Sequence, residues 1–251
     1  MEESDMKQLR KPINLPALAV VFGCSALLLR RLLYALALDV RNLLTDSPLE
    51  IALWVLTAGV IVWVVASVWR LDGSNRYKDN FEPSLTAALG HYIAAAGILL
   101  TVLLPWYNIG KLVMLRRVLG ILAAVGLILG GRNRKAGTRT LFLTHLAACV
   151  FLMVHMLGNY GVWSSNPQLQ DYAFDMLGCV MAVLFAFYEA AFDAGMGRRR
   201  MQLATGLLTA YFGYGALSGS AYPMLYFGCA VWAVTDLCTL TPKPKKEEET
   251  P

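Results

Sequence analysis

Charge is scarce in this 251-residue sequence. Asp, Glu, Lys and Arg make up 16% of it, against about a quarter in an ordinary soluble domain. Long polar connections are missing too: no segment between the apolar runs exceeds about fifteen residues. Such connections leave no room for a soluble domain of ordinary size. That excludes a nucleotide-binding domain, a kinase or a DNA-binding module among them. Cysteine is limited to Cys24, Cys149, Cys179, Cys229 and Cys238, all in apolar runs and none in a C-x-x-C. They read as small buried hydrophobes. No H-E-x-x-H occurs, and the glycine-bearing stretch GGRNRKAGT at 130–138 lacks P-loop spacing, so it reads as a turn carrying topogenic charge. The sequence therefore calls for no metal, no cofactor and no catalytic residue. Its net charge of +5 is spread over short loops without a dense basic, aromatic-interleaved patch, which argues against a nucleic-acid partner.

Apolar sequence is what the chain has in abundance. Hydrophobic residues make up 57% and gather in runs of about 19–25 residues, the length a helix needs to cross a bilayer. The pattern predicts an all-α polytopic transmembrane helix bundle of about eight spans: 15–38, 49–69, 83–104, 112–130, 138–158, 168–192, 201–218 and 222–240. A cytoplasmic N-terminal segment, 1–14, precedes the bundle. A proline-rich charged tail, 241–251, follows it and is expected to be disordered. The polar start before an apolar run imitates a secretory signal, but the run continues past Cys24, which predicts an uncleaved first helix. Within 201–240, Gly219, Ser220 and Ala221 alone divide the last two runs, so two spans and a re-entrant pair are both open.

Loop charge gives the expected orientation. One set of connections holds Lys7, Arg10, Lys11, Arg70, Arg76, Lys78, Arg132, Arg134, Lys135, Arg139, Arg198, Arg199, Arg200, Lys243, Lys245 and Lys246, sixteen of the 22 basic residues. The opposite set holds Arg41 and Lys111. By the positive-inside rule both termini are cytoplasmic, in a cytoplasmic membrane whose lipid bilayer is the chain's first partner. Trp106, Tyr107, Tyr160, Trp163, Tyr172 and Tyr222 gather at the outer ends, where amphipathic rings favour the headgroup level.

Four arginines remain, and they organise the functional reading. Arg30, Arg31, Arg116 and Arg117 lie inside apolar runs. Each costs about 2.5–3.5 kcal/mol at a span centre on insertion scales, so something must offset it. Small residues mark buried faces in lipid, and residues three and four apart share a face. Ala19, Gly23, Ala26, Arg30 and Tyr34 follow that spacing, as do Arg116, Gly120, Ala123 and Gly126. Arg30 and Arg116 are therefore expected to point into the bundle, in its outer half. Arg31 is rotated by about 100° and can reach headgroups by snorkelling.

His155 and Asp175 fall at the same depth as the arginines. His91 and His145 lie deeper toward the inner side. Glu189, Asp193 and Asp236 come near inner ends, where water is expected to reach them. One reading has Arg30 and Arg116 pair with Asp175, Asp39 or helix C-terminal carbonyls and hold the bundle together. The other notes that four arginines outnumber Asp175 in the outer half. It assigns Arg30, Arg31, Arg116, Arg117, His155 and Asp175 to a site for a small anionic solute or lipid headgroup. His91, His145 and Glu189 are candidates for proton linkage, because imidazole titrates near neutral pH.

Phe151-x-x-x-His155 and His155-x-x-x-Asn159 resemble pieces of the motifs of the prenyl-endopeptidase and bacteriocin-immunity membrane family. That resemblance would imply an intramembrane enzyme. The family's paired-glutamate motif is missing from the spans, and one histidine would have to serve both fragments, so the likeness covers nine residues. Binding or transport of a small anion or headgroup is thus the leading expectation. A non-catalytic membrane partner, acting as sensor, chaperone or accessory subunit beside another membrane protein, is the second, and an enzyme the third.

Overall fold

The computed structural model describes residues 14–36, 47–69, 76–104, 112–164 and 169–240. The terminal segments and Asp39, a pairing candidate by sequence, lie outside these. The described chain is all-helical: α1 (Asn14–Leu36), α2 (Pro48–Trp69), the single turn α3 (Tyr77–Asn80), α4 (Leu85–Leu103), α5 (Val113–Ala136), α6 (Phe142–Trp163), α7 (Leu169–Asp193), α8 (Arg199–Ala216) and α9 (Pro223–Leu237). Six of them, α1, α2, α4, α5, α6 and α7, are long and apolar enough to cross a membrane. The protein is an integral membrane protein built as a helix bundle.

The long helices run alternately up and down. Here the end at which α1 starts is called the near end, and the opposite one the far end. Packing closes α4, α5, α6, α7, α8 and α9 into a ring, in that order, with α9 returning to α4. Outside the ring, α1 lies against α8, and α2 rests on α1 and α8.

Small residues let the ring close. A Cβ on Gly228 of α9 would stand 3.0 Å from the Ala94 Cα of α4, and one on Gly97 would run into the Met224 carbonyl. One on Gly126 of α5 would stand 2.5 Å from the Thr144 carbonyl of α6. Outward faces are apolar: on α5, Met114, Val118, Ile121, Leu122, Val125 and Leu129 are all exposed, as suits contact with lipid tails.

One expectation needs correcting. The stretch GGRNRKAGT is not a turn: α5 continues through it to Ala136 and stops at Gly137, whose φ of +68° forms the left-handed C-terminal cap. Arg134 and Lys135 favour that last turn, because cations suit a helix C-terminus. Between 201 and 240, the chain makes two antiparallel helices that pack on each other, turning at 217–222 with Gly219 at φ +83°. They have 18 and 15 residues, and neither is among the six long apolar helices. Both are largely enclosed by other helices, which relieves them of the need for an all-apolar surface.

Candidate functional site

Polar side chains collect inside the ring in two groups, one toward each end. At the far end α5 contributes Arg116, α6 His155 and Asn159, and the start of α9 Tyr222. Arg116 is 1% exposed. Its Nη1 donates to Asn159 Oδ1 at 3.3 Å and to the Tyr222 hydroxyl at 3.4 Å, and its guanidinium stands 5.5 Å from the Tyr222 ring centre. The Tyr222 hydroxyl donates to Asn159 Oδ1 at 2.8 Å.

Those bonds fix the amide. With Oδ1 accepting, Asn159 Nδ2 must be the atom that donates to His155 Nε2, 3.1 Å away. His155 then carries its proton on Nδ1, and that buried N–H has no partner. A guanidinium and an imidazole with one unpartnered N–H thus belong to one hydrogen-bonded group in the ring.

Arg30 occupies a different place. It is buried where α1 meets α7 and α8, with Nη1 donating to the Gly215 carbonyl at 2.9 Å, Nη2 to the Tyr34 hydroxyl at 3.3 Å, and the Phe174 ring 4.9 Å away. Asp175 is close enough to feel its charge. One Asp175 carboxylate oxygen accepts from Ser220 at 2.7 Å, while the other is buried without a partner. Ser220 Oγ also accepts the Tyr222 N–H at 3.0 Å, so the Arg30–Asp175 and Arg116–His155 groups meet at the turn between α8 and α9. Arg31 and Arg117 are exposed, outside both groups.

The near-end group is denser. Arg134 of α5 donates through Nη2 to Asp236 of α9 and stands 3.6 Å from Glu189 of α7. Gln202 of α8 donates to the same Glu189 oxygen at 2.7 Å. Phe81 lies across the Arg134 guanidinium at 3.5 Å, and Tyr77 at 5.5 Å. These rings, with Phe192 packed edge-on against Phe81, cover the near end of the ring. Burial pushes the Tyr77 phenol up to about 12, despite the opposing pull of Arg134. Beside them His91 of α4 and His145 of α6 meet Nε2 to Nε2 at 3.1 Å, and His145 Nδ1 is 2.6 Å from Asp193. His91 and Glu189 stand on different helices; the fold brings both into this one cluster.

Several members are not foreseen from sequence. Arg134 reads as a loop cation there, and Glu189, Asp193 and Asp236 as wet helix ends. All four are buried. Trp232 also goes unmarked, whereas Gln202 shares a small-residue stripe with Gly206, Thr209 and Gly213 and is expected to face protein. Among the described residues no group of three or more His, Cys, Asp or Glu side chains could hold a metal ion. Comparison of the chain with protein-family models, with curated proteins and with solved structures gives no match.

Proposed function

We propose that the protein binds a small anion in the far half of the six-helix ring and carries it across the membrane. The near end then faces the cytoplasm of a cell whose cytoplasmic membrane holds the chain, and eight helices traverse the bundle. The observation that carries this reading is the unpartnered His155 Nδ1–H in the same hydrogen-bonded group as the buried Arg116 guanidinium. A buried donor without an acceptor is costly, and such a donor in one group with a guanidinium's positive charge favours a carboxylate or phosphate oxygen. In this reading Arg30 and Asp175 set the α1–α7–α8 packing around the site.

The test uses the full chain in neutral-lipid nanodiscs, with inorganic phosphate and short mono- and dicarboxylates as probes. Arg116→Ala is expected to weaken binding by about 10–100-fold, the loss of one or two charge-assisted hydrogen bonds. Nanodiscs doped with anionic lipid separate a headgroup from a free solute: a headgroup ligand competes with the probes, a solute does not. Equal affinity of wild type and Arg116→Ala for every probe that binds would overturn the reading.

A further inference from the structure

The hydrogen positions around His91 and His145 can be deduced from their neighbours. His91 Nδ1 lies 2.8 Å from the Ala87 carbonyl. A carbonyl can only accept, so Nδ1 carries a hydrogen. The indole N–H of Trp232, which can only donate, points at His91 Nε2 from 3.1 Å. Nε2 must therefore present its lone pair, and His91 is the neutral Nδ1–H tautomer.

His145 Nε2 stands 3.1 Å from the same nitrogen, and the form of His145 with a hydrogen on Nε2 makes this contact attractive, the single His91 lone pair being shared with the Trp232 N–H. At the other side of the ring, His145 Nδ1 and Asp193 Oδ2 are 2.6 Å apart, and a hydrogen lies between them as well. It belongs either to an imidazolium facing a carboxylate or to a carboxylic acid facing an Nε2–H imidazole. In both cases the pair holds one proton more than a carboxylate plus an Nδ1–H imidazole. Independently, the Trp232 indole stacks on the His145 ring, with centroids 5.9 Å apart and planes 15° apart, as suits a cationic ring on an aromatic face.

We infer that Asp193, His145, His91 and Trp232 form a binding site for one exchangeable proton, and that its occupancy ties α4 to α6 at the near end of the ring. When the proton leaves to water, His145 keeps a hydrogen only on Nδ1, bonded to the Asp193 carboxylate. Two Nε2 lone pairs then oppose each other at contact distance, and the α4–α6 link opens. Gly130 of α5 lies directly against this link: a Cβ there would be 2.9 Å from His145 Nε2 and 3.3 Å from His91 Cδ2. The charges that face the site come from every neighbouring element. They are Arg134 on α5, Arg139 ahead of α6 with its Nε donating to the Asp193 carbonyl, Glu189 beside Asp193 on α7, Asp236 on α9, and the Tyr77 phenol of α3. On α8 the facing group is the neutral Gln202, with Arg199 at the helix start.

Nitrogen-15 NMR of the three histidine side chains tests this without any solute. The full chain, labelled at histidine and held in nanodiscs, is taken through a range of pH from acid to alkaline. His155→Gln removes the far-end signals, so this test stands apart from the anion reading. The expected result is a His91 that stays neutral and Nδ1-protonated throughout. His145 is expected to be Nε2-protonated at the acid end and to pass to a neutral Nδ1–H ring on raising the pH. In Asp193→Asn the His145 signals are expected to stop titrating over the range. A wild-type His145 with an unprotonated Nε2 at every pH would overturn the site. One whose signals never change would overturn the exchange.

Discussion

At Arg134 a buried guanidinium faces two carboxyls and two aromatic rings. Removing one member of such a buried set leaves an uncompensated charge, which costs about 3–5 kcal/mol, whereas replacing the whole set with apolar groups is often neutral. Arg134→Met is therefore expected to lower the unfolding free energy in mixed micelles by about 3–5 kcal/mol. The triple change Arg134→Met, Asp236→Leu and Glu189→Gln is expected to recover most of it. Unfolding curves for the three proteins check this, and a single variant as stable as wild type would show that the cluster does not hold the near end together. The hydrogen bonds described above for Arg30 and Arg116 differ in kind. They go to a backbone carbonyl and to neutral hydroxyl or amide oxygens.

Helix by helix, close approach sets the packing. The α4–α9 contact depends on Gly97 and Gly228, each backed onto the partner's main chain. A main chain cannot swing aside as a side chain can. Gly97→Val is thus expected to destabilise by about 1–3 kcal/mol, the cost of overpacking, and to loosen the ring where α9 closes it. Gly59 of α2 provides the control, because a Cβ there would meet nothing within 4 Å. Gly59→Ala is expected to leave stability unchanged or raise it by up to about 1 kcal/mol through helix propensity. Thermal unfolding of both variants in one detergent makes the comparison. α8 and α9 show why hydropathy alone misjudges an element. Enclosed by protein, α8 can keep Gln202, Thr205 and Thr209 on buried faces that a lipid-facing helix could not carry.

Across the bundle, the alternation of helices puts Ser164 at the far end and Met196 at the near end, both exposed. In a background with Cys24 and Cys238 changed to Ser, Ser164→Cys is expected to react with an impermeant maleimide from outside intact cells. Met196→Cys is expected to react only after the membrane is opened. The reverse pattern would invert the proposed orientation, and labelling of both from one side would break the alternation itself. A ring with one polar group near each end also gives a transport reading its geometry. Solute and proton would be held at separate depths, and a change at one can reach the other through α5, α6 and α9, which contribute to both.

Local pattern was enough to settle the class of molecule: long apolar runs demand a helical bundle in lipid, and 3.6-residue periodicity turns Arg30 and Arg116 inward. It also marked His91, His145, His155, Asp175 and Glu189 as polar groups inside apolar runs, while placing Glu189 within reach of water. It did not reveal which of them meet. The His91–His145 contact spans 54 residues and Arg134–Asp236 spans 102, separations that no local pattern encodes. Arg134 looks like a loop cation in one dimension because charge near the end of a run is ordinarily solvated. Only the folding of α3 and the aromatic cover of Tyr77 and Phe81 over that end took water away from it.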